Sequence, residues 1–223
     1  MKTDWQKGER LRQCLQNKHL VLHGDSTTRQ WFSNLEGMIG IRGVRPPNDV
    51  YCCNMVRVYK ELNATMWFQI HPHVLASRAV KVEDTMFEVD FLDGLDDPAC
   101  NYIVVLSPWA HFAQWIWDTY VKRTQLIREA ILRLQKRCPD VPIVIKGPHA
   151  RNHKTSSAII YGNDYIIWQI GKINQEILAG IGVWFLPVWD INLAYPLSNT
   201  VHMPNEVVHE ELKMFLSFVC ETR

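Results

Sequence analysis

Short apolar runs alternate with amphipathic segments along most of this chain, and this alternation constrains the fold more than any other feature. The runs that predict strands are His19–His23, Asn63–His71, Asn101–Leu106, Val141–Lys146 and Val183–Val188. Apolar residues at helical spacing predict helices over Thr27–Met38, Tyr120–Lys136, Asp164–Leu178 and Val207–Val219. Nearly continuous apolar strands that alternate with helices are typical of a parallel sheet covered on both faces. We therefore predict an α/β fold with a mostly parallel central sheet.

The length of the chain limits its organisation. At 223 residues it can form one substantial domain, and we predict a single domain over residues 1–223. The segment 39–63 contains RGVRPPNDVYCCN, which is rich in turn-forming residues, and is predicted to be an irregular loop or small insertion.

Charge and hydropathy exclude several classes of partner. The formal net charge is +1, so no strong field attracts nucleic acid or an anionic membrane. No apolar run approaches the roughly 18–20 residues that cross a bilayer, so no membrane span is expected in this chain. The six cysteines form no CxxC pair, so we expect no metal site. Nothing in the sequence indicates an oligomeric state.

The cysteines leave two interpretations open. Cys14, Cys52, Cys53, Cys100, Cys138 and Cys220 are an even number, which fits disulfides, and buried free thiols fit the composition equally well. Asn63 begins an Asn-Ala-Thr glycosylation sequon, which matters only if the chain is secreted.

The strongest candidate site follows the first strand, where Gly24, Asp25 and Ser26 precede a helix. Ligands of open parallel sheets bind at the carboxyl ends of the strands. A serine at a helix N-terminus also has backbone N–H groups pointing at whatever it attacks. Ser26 is therefore a candidate nucleophile, and the alternative is that Asp25 or Ser26 simply caps the helix.

A serine nucleophile needs a base, and the end of the chain offers one. His202 lies in a polar loop before the last helix, and Asp190 closes the last predicted strand twelve residues earlier. The three residues would form a Ser26–Asp190–His202 triad. The alternatives are that His202 is a loop residue without a role and that Asp190 caps a turn or pairs with an arginine. His209, inside the last helix, is predicted to be a surface residue.

Other residues are expected along the same sheet edge. Arg29 lies one helical turn after Ser26, where it would bind a substrate carboxylate or, alternatively, form an internal salt bridge. Lys146 and His149 follow the fourth strand and are expected to line this edge as well.

Several motifs at these strand ends resemble one family. The stretches that carry the resemblance are CLQNKHLVLHGDSTTRQW (14–31), His111-Phe112 in SPWAHF, VWDINLAY (188–195), SNTVHMP (198–204) and KMFLSFVC (213–220). They are similar to the neurexophilin and PC-esterase domain (NXPE-like) family, a branch of the SGNH/GDSL hydrolase superfamily. The resemblance covers nearly the whole chain.

The resemblance implies a three-layer α/β/α fold with a serine esterase-like or acyltransferase-like site. Ser26 would be the nucleophile, His202 the base and Asp190 the orienting acid. Gly24, Asp25, Arg29, His71 and His111 would contribute to the oxyanion hole or to substrate binding. Family members usually carry an N-terminal neurexophilin-like domain and a secretory signal. Neither is present here, so we expect either a C-terminal domain or a truncated gene product of a secreted or lumenal protein.

The sequence departs from the family pattern around the oxyanion hole and the acid. SGNH enzymes generally place the acid three residues before the histidine, where this chain has Asn199. Pro72 stands where a glycine N–H donor is expected, beside His71, and proline has no N–H. His111 stands where an asparagine donor is expected, and an imidazole N–H can also donate.

Two functions follow from these observations. The first is a serine-dependent acyltransferase or esterase that acts on O-acyl, chiefly O-acetyl, groups of a glycan or glycoprotein substrate. It needs no bound cofactor, and acetyl-CoA is compatible as an acyl donor although no phosphate-binding glycine loop supports it. The alternative is a catalytically impaired secreted module that binds a glycan or a protein.

Overall fold

A computed structural model describes residues 8–72, 80–151, 156–195 and 200–221. Within these residues six strands form one sheet, in the order β2-β3-β1-β4-β5-β6. The strands are β1 (His19–Gly24), β2 (Asn54–Tyr59), β3 (Ala64–Ile70), β4 (Tyr102–Leu106), β5 (Ile143–Lys146) and β6 (Trp184–Leu186). All neighbouring strands are parallel except β2, which is antiparallel to β3. The predicted α/β fold with a mostly parallel sheet is confirmed.

Eight α-helices surround this sheet in the described part of the chain. They are α1 (Glu9–Leu15), α2 (Ser26–Ile39), α3 (Glu88–Asp93), α4 (Trp117–Arg137), α5 (Ser156–Gly162), α6 (Asp164–Ile177), α7 (Val188–Leu193) and α8 (Asn205–Glu221). The four helices predicted from periodicity are α2, α4, α6 and α8. The four shorter ones were not predicted, because helices of six or seven residues show too little of the 3.6-residue period. None of these helices is long and apolar enough to span a membrane.

Helices cover both faces of the sheet. On one face α2 and α8 pack together, with the rings of Trp31 and Phe215 5.4 Å apart between centroids. On the other face α4 buries Ile127, Ala130, Ile131 and Leu134 in a second apolar cluster with alternate residues of β4 and β5. The strand β1 lies inside the sheet, bonded to β3 and β4, so its C-terminal end opens at the middle of the sheet edge.

Two predicted boundaries need correction. The segment 39–63 was expected to be irregular, but it contains the edge strand β2, in which residues of alternating burial pair with β3. The last strand was expected to reach Val188, but it ends at Leu186 because Pro187 precedes the helix α7. Asp190 therefore lies in α7 and does not close a strand.

All six cysteines form disulfides, which decides between the two interpretations left open by the composition. Cys14 of α1 bonds to Cys220 of α8 and thereby joins the two ends of the described chain. The second disulfide joins Cys100 to Cys138, and the third joins the neighbouring residues Cys52 and Cys53.

Candidate active site

Ser26 is the first residue of α2 and sits at a tight turn after β1. The N-cap of this helix is Asp25, whose Oδ1 accepts a hydrogen bond from the backbone N–H of Thr27 at 2.7 Å. Capping by Asp25 leaves the Ser26 hydroxyl available for another role. The turn also explains Gly24, because a Cβ at this position would lie 2.8 Å from the Cβ of Ser107.

The Ser26 hydroxyl is hydrogen-bonded to a histidine from the other end of the chain. Its Oγ lies 2.8 Å from Nε2 of His202, a distance within the range for a nucleophile and its base. The backbone on both sides of His202 is held in place. His149 Nε2 donates to the carbonyl of Val201 at 2.8 Å, and the Gln30 amide donates to the carbonyl of Met203. The predicted pairing of Ser26 with His202 therefore has the expected geometry.

Several charges act on His202. Partial desolvation lowers the pKa of its imidazole, the Asp25 carboxylate raises it, and the charges of Arg29 and Lys146 lower it further. The net pKa lies below the ordinary value, so the ring is neutral and able to accept a proton at pH 7. Asp25 is the carboxylate whose charge favours the imidazolium that would form during a reaction.

Asp25 itself is fully buried and charged. Its Oδ2 accepts a hydrogen bond from the backbone N–H of Ala110 at 3.1 Å. Burial raises the pKa of this carboxyl, but the charges of His111, His71 and Lys146 oppose burial and bring the pKa to about 2. A buried anion thus lies directly before the candidate nucleophile.

Asp190 does not meet His202 in this structure. It is exposed on α7 and lines a cleft of about 170 Å³ together with Pro148, Trp168 and Lys172. No hydrogen bond joins Asp190 to His202 in the part of the chain that the structure describes. The assignment of Asp190 as the orienting acid remains a prediction, and Asn199 lies outside the described residues.

The two histidines expected at the oxyanion hole contact each other. His71 Nε2 and His111 Nδ1 are 2.9 Å apart, and His71 Nδ1 is 3.5 Å from Oε1 of Glu88. Glu88 lies on α3, is buried and pairs with Arg123 of α4. Glu88 and Arg123 were not among the residues predicted from the sequence, since neither follows a predicted strand and a buried acid in a short helix has no local signature.

Of the remaining predicted residues, Arg29 and Lys146 lie close to the site, since the charges of both act on His202, whereas Asn63 lies at the opposite edge of the sheet, beside Asn17. Arg29 donates from Nη1 to the carbonyl of Cys52 at 3.2 Å and pairs with no acid among the described residues, so the expected internal salt bridge is absent there. The Lys146 ammonium is buried and donates to the Thr27 hydroxyl at 3.1 Å. Asn63 is exposed at the turn before β3, and its glycosylation remains a prediction.

A profile of a known protein family matches nearly the whole chain, in agreement with the resemblance of the motifs at the strand ends. The profile described as "NXPE family member 4-like, C-terminal domain" matches residues 2–220. The chain belongs to the NXPE family. The matched residues include β1 and the Ser26 turn near one end of the chain, and His202 and α8 as far as residue 220 near the other.

Two solved structures show the fold to which this chain is similar. The NXPE-family chain is similar to a member of the lipolytic protein G-D-S-L family from Veillonella parvula, with a TM-score of 0.50 and 10% identity over 92% of this chain and 100% of that chain. It is equally similar to a putative GDSL-like lipase from Parabacteroides merdae, with a TM-score of 0.50 and 12% identity over 93% of this chain and 97% of that chain. These similarities show that the NXPE domain has the SGNH/GDSL hydrolase fold.

Proposed function

We propose that this chain is a serine-dependent acyltransferase or esterase that acts on O-acyl, chiefly O-acetyl, groups of glycans. The observation that carries the proposal is the 2.8 Å hydrogen bond between Ser26 Oγ and His202 Nε2. This pair of side chains lies at the N-terminus of the fourteen-residue helix α2 and at the carboxyl edge of the sheet, where α/β proteins bind ligands.

The reaction would begin with attack of Ser26 Oγ on the acyl carbonyl carbon. His202 Nε2 takes the hydroxyl proton, and negative charge develops on the carbonyl oxygen, which backbone N–H groups at the start of α2 stabilise. When the intermediate collapses, the bond from carbonyl carbon to the leaving oxygen breaks, and His202 returns the proton to that oxygen. Water or a sugar hydroxyl then attacks the carbonyl carbon of the acyl-enzyme and gives its proton to His202 Nε2. The bond from that carbon to Ser26 Oγ breaks, and His202 returns the proton to Ser26 Oγ, which regenerates the free serine. Asp25 stabilises the His202 imidazolium through its charge.

The substrate class rests on the family resemblance and on Arg29. PC-esterase relatives of the family act on O-acetyl groups of sugars, so an O-acetylated glycan or glycoprotein is the substrate we favour. Arg29 has no acidic partner among the described residues and influences the pKa of His202, so its guanidinium lies near enough to bind a carboxylate on an acidic sugar. No bound cofactor is required, and acetyl-CoA would serve as a diffusible donor for a transferase.

We also infer a secreted or lumenal location. Three disulfides are formed in the described chain. Disulfides persist in oxidising compartments and are rare in the cytosol. The protein for any assay should therefore be produced through a secretory pathway.

Labelling with a fluorophosphonate probe, which reacts with activated serines, tests the proposal. We expect labelling of the wild type and its loss in Ser26→Ala and in His202→Ala. Ser33→Ala, at an exposed position on the same helix, and His209→Gln, on α8, are matched controls that should label normally. Labelling that survives Ser26→Ala would contradict the proposal.

One observation favours a second function. Pro72 supplies no N–H at the position where the family pattern has an oxyanion donor, which would suit a module that binds glycans without turnover. A wild type that folds, is not labelled, and binds acetylated glycans on an array would support this second function over the first.

A further inference from the structure

A cleft at the carboxyl edge of the sheet contains Asp190, which does not meet His202. The cleft has a volume of about 170 Å³, and its lining includes Trp168 and Lys172 of α6 and Trp189 of α7. It lies where β5 and β6 end, because the residues that follow both strands contribute to it. Ligands of open parallel sheets bind at this edge, so the position of the cleft is that of a ligand site.

One wall of the cleft is a single face of α6. The residues that form it occupy positions i, i+3, i+4 and i+7 of the helix and are Trp168, Gly171, Lys172 and Gln175. A Cβ at Gly171 would lie 3.0 Å from Cγ of Pro148, so the glycine allows α6 to approach the end of β5 closely. This close approach gives the cleft its floor.

The lining combines an exposed aromatic ring with hydrogen-bonding groups of both kinds. The side chain of Trp168 is 41% exposed although it is apolar. Lys172 Nζ lies 5.2 Å from the centroid of that ring, and this cation–π contact holds the indole at the cleft. The Lys172 ammonium can only donate hydrogen bonds, the Asp190 carboxylate can only accept them, and the Gln175 amide does both. A fitting ligand therefore has an apolar face and a rim of groups that donate and accept.

A pyranose ring has this combination of properties. Its C–H bonds make one face apolar and slightly positive, which suits the negative face of an indole, and its hydroxyls donate and accept around the rim. Lys172 and Asp190 have opposite charges, and neither forms an ion pair with another residue of the described chain, so a neutral sugar fits them. The volume is below the roughly 300–1,000 Å³ of pockets for drug-sized ligands and suits a single ring.

The cleft adjoins the candidate active site through the loop after β5. Gly147 and Pro148 line the cleft, and the residues on either side of them contact the neighbours of the candidate nucleophile and base. Lys146 donates to the hydroxyl of Thr27, which follows the nucleophile, and His149 donates to the carbonyl of Val201, which precedes the base. One short loop therefore separates the two places, and a chain of linked sugars can extend from one to the other.

We propose that this cleft is a sugar-binding subsite that holds one neutral hexopyranose ring of a glycan on Trp168, while a sugar further along the same glycan lies at Ser26. The role of that second sugar rests on the proposed function, whereas binding of the ring in the cleft requires no turnover. Trp168, Lys172 and Asp190 bind the glycan in this scheme and do not touch the reacting atoms.

Saturation-transfer NMR with methyl β-galactoside tests the binding of the ring. The axial C4 hydroxyl of this neutral sugar leaves the opposite face of the ring to C–H bonds. We expect a Kd of about 1 mM in the wild type and in Ser26→Ala, as for a small ligand of ordinary efficiency. Trp168→Ala removes the stacking surface and should weaken binding about tenfold. Asp190→Ala removes the acceptor, should weaken binding by a similar factor, and serves if Trp168→Ala does not fold.

Trp117→Ala is the matched control. Trp117 is 40% exposed at the start of α4 and does not line the cleft, so its loss should leave the affinity unchanged. The inference would be overturned by a wild type that shows no saturation transfer, or by equal affinities of wild type, Trp168→Ala and Asp190→Ala. An equal loss in Trp117→Ala would also overturn it, because any exposed indole would then be enough.

Protection from the fluorophosphonate probe tests the connection to Ser26. A longer neutral glycan, β-1,4-galactotetraose, should slow the labelling of Ser26 in the wild type, whereas methyl β-galactoside should not. Trp168→Ala should label at the wild-type rate without sugar and should lose this protection. Labelling that the tetraose does not slow would contradict the extension of the glycan from the cleft to Ser26.

The binding and labelling experiments can fail independently of each other. A wild type that is never labelled, but whose binding of methyl β-galactoside depends on Trp168, would retain the subsite and reject the esterase proposal. Normal labelling in a protein that does not bind the galactoside would reject the subsite and retain the esterase proposal.

Discussion

Replacing His149 by phenylalanine should destabilise the protein at neutral pH and should cost progressively less as the pH falls. His149 is 1% exposed and donates from Nε2 to the Val201 carbonyl, next to His202. Burial lowers its pKa to about 3, with a further contribution from the charge of Lys146. Phenylalanine keeps a ring of similar size against Trp109, whose centroid is 4.8 Å away, but has no donor.

The magnitude follows from the hydrogen bond and from proton linkage. Loss of the donor to Val201 should cost about 1–3 kcal/mol at pH 7.5. Because the folded-state pKa of His149 lies below the ordinary 6.5, the unfolded chain binds this proton first. The wild type therefore loses stability as the pH falls below 6.5, by about 1.4 kcal/mol per pH unit for this one group. At pH 4.5 that loss is about 2.7 kcal/mol, and the phenylalanine variant does not suffer it.

The assay is urea unfolding of both proteins from pH 7.5 to pH 4.5 with the disulfides intact. The difference in unfolding free energy should shrink to about zero or change sign near pH 4.5. His23 also has a lowered pKa, about 4, but it is present in both proteins and cancels in the difference. Parallel stability curves across this range would refute the assignment of His149 as a buried neutral donor.

Three further outcomes are expected. Replacing both Cys14 and Cys220 by serine opens a loop that spans 206 positions, which should lower the unfolding free energy in urea by about 5 kcal/mol on the chain-entropy model; a loss under about 1 kcal/mol would contradict it. Arg29→Met removes a charge that lowers the pKa of His202, so the rate of fluorophosphonate labelling should begin to rise at a higher pH than in the wild type. A pH profile that does not move would place Arg29 too far from His202 to affect its pKa. Gly24→Ala places a Cβ 2.8 Å from the Cβ of Ser107, so it should reduce both the melting temperature and the rate of fluorophosphonate labelling. A variant indistinguishable from the wild type would show that the turn can relax.

The sequence was most informative where local pattern and position in a parallel sheet coincide. Apolar runs and helical periodicity predicted five of the strands and the four long helices, because these segments bury one face or both regardless of their partners. The β2 edge strand was missed, since its alternation lies inside a stretch dominated by turn residues. The Gly-Asp-Ser turn was identified from the sequence because a tight turn after a strand favours glycine and the start of a helix favours a capping acid.

Contacts between distant segments were beyond the reach of the sequence. The pairing of six cysteines has many solutions until α1 and α8 are brought together. Asp190 was assigned to His202 from its distance along the chain, but α7 places it on the surface, and Asp25 is the carboxylate whose charge reaches the histidine. The sequence by itself determined the fold class, the family, and Ser26 and His202 as candidates. Only the tertiary structure decided which charges surround them, because the contacts of Glu88, His71 and His111 join α3 to two separate loops whose approach depends on how the helices pack on the sheet.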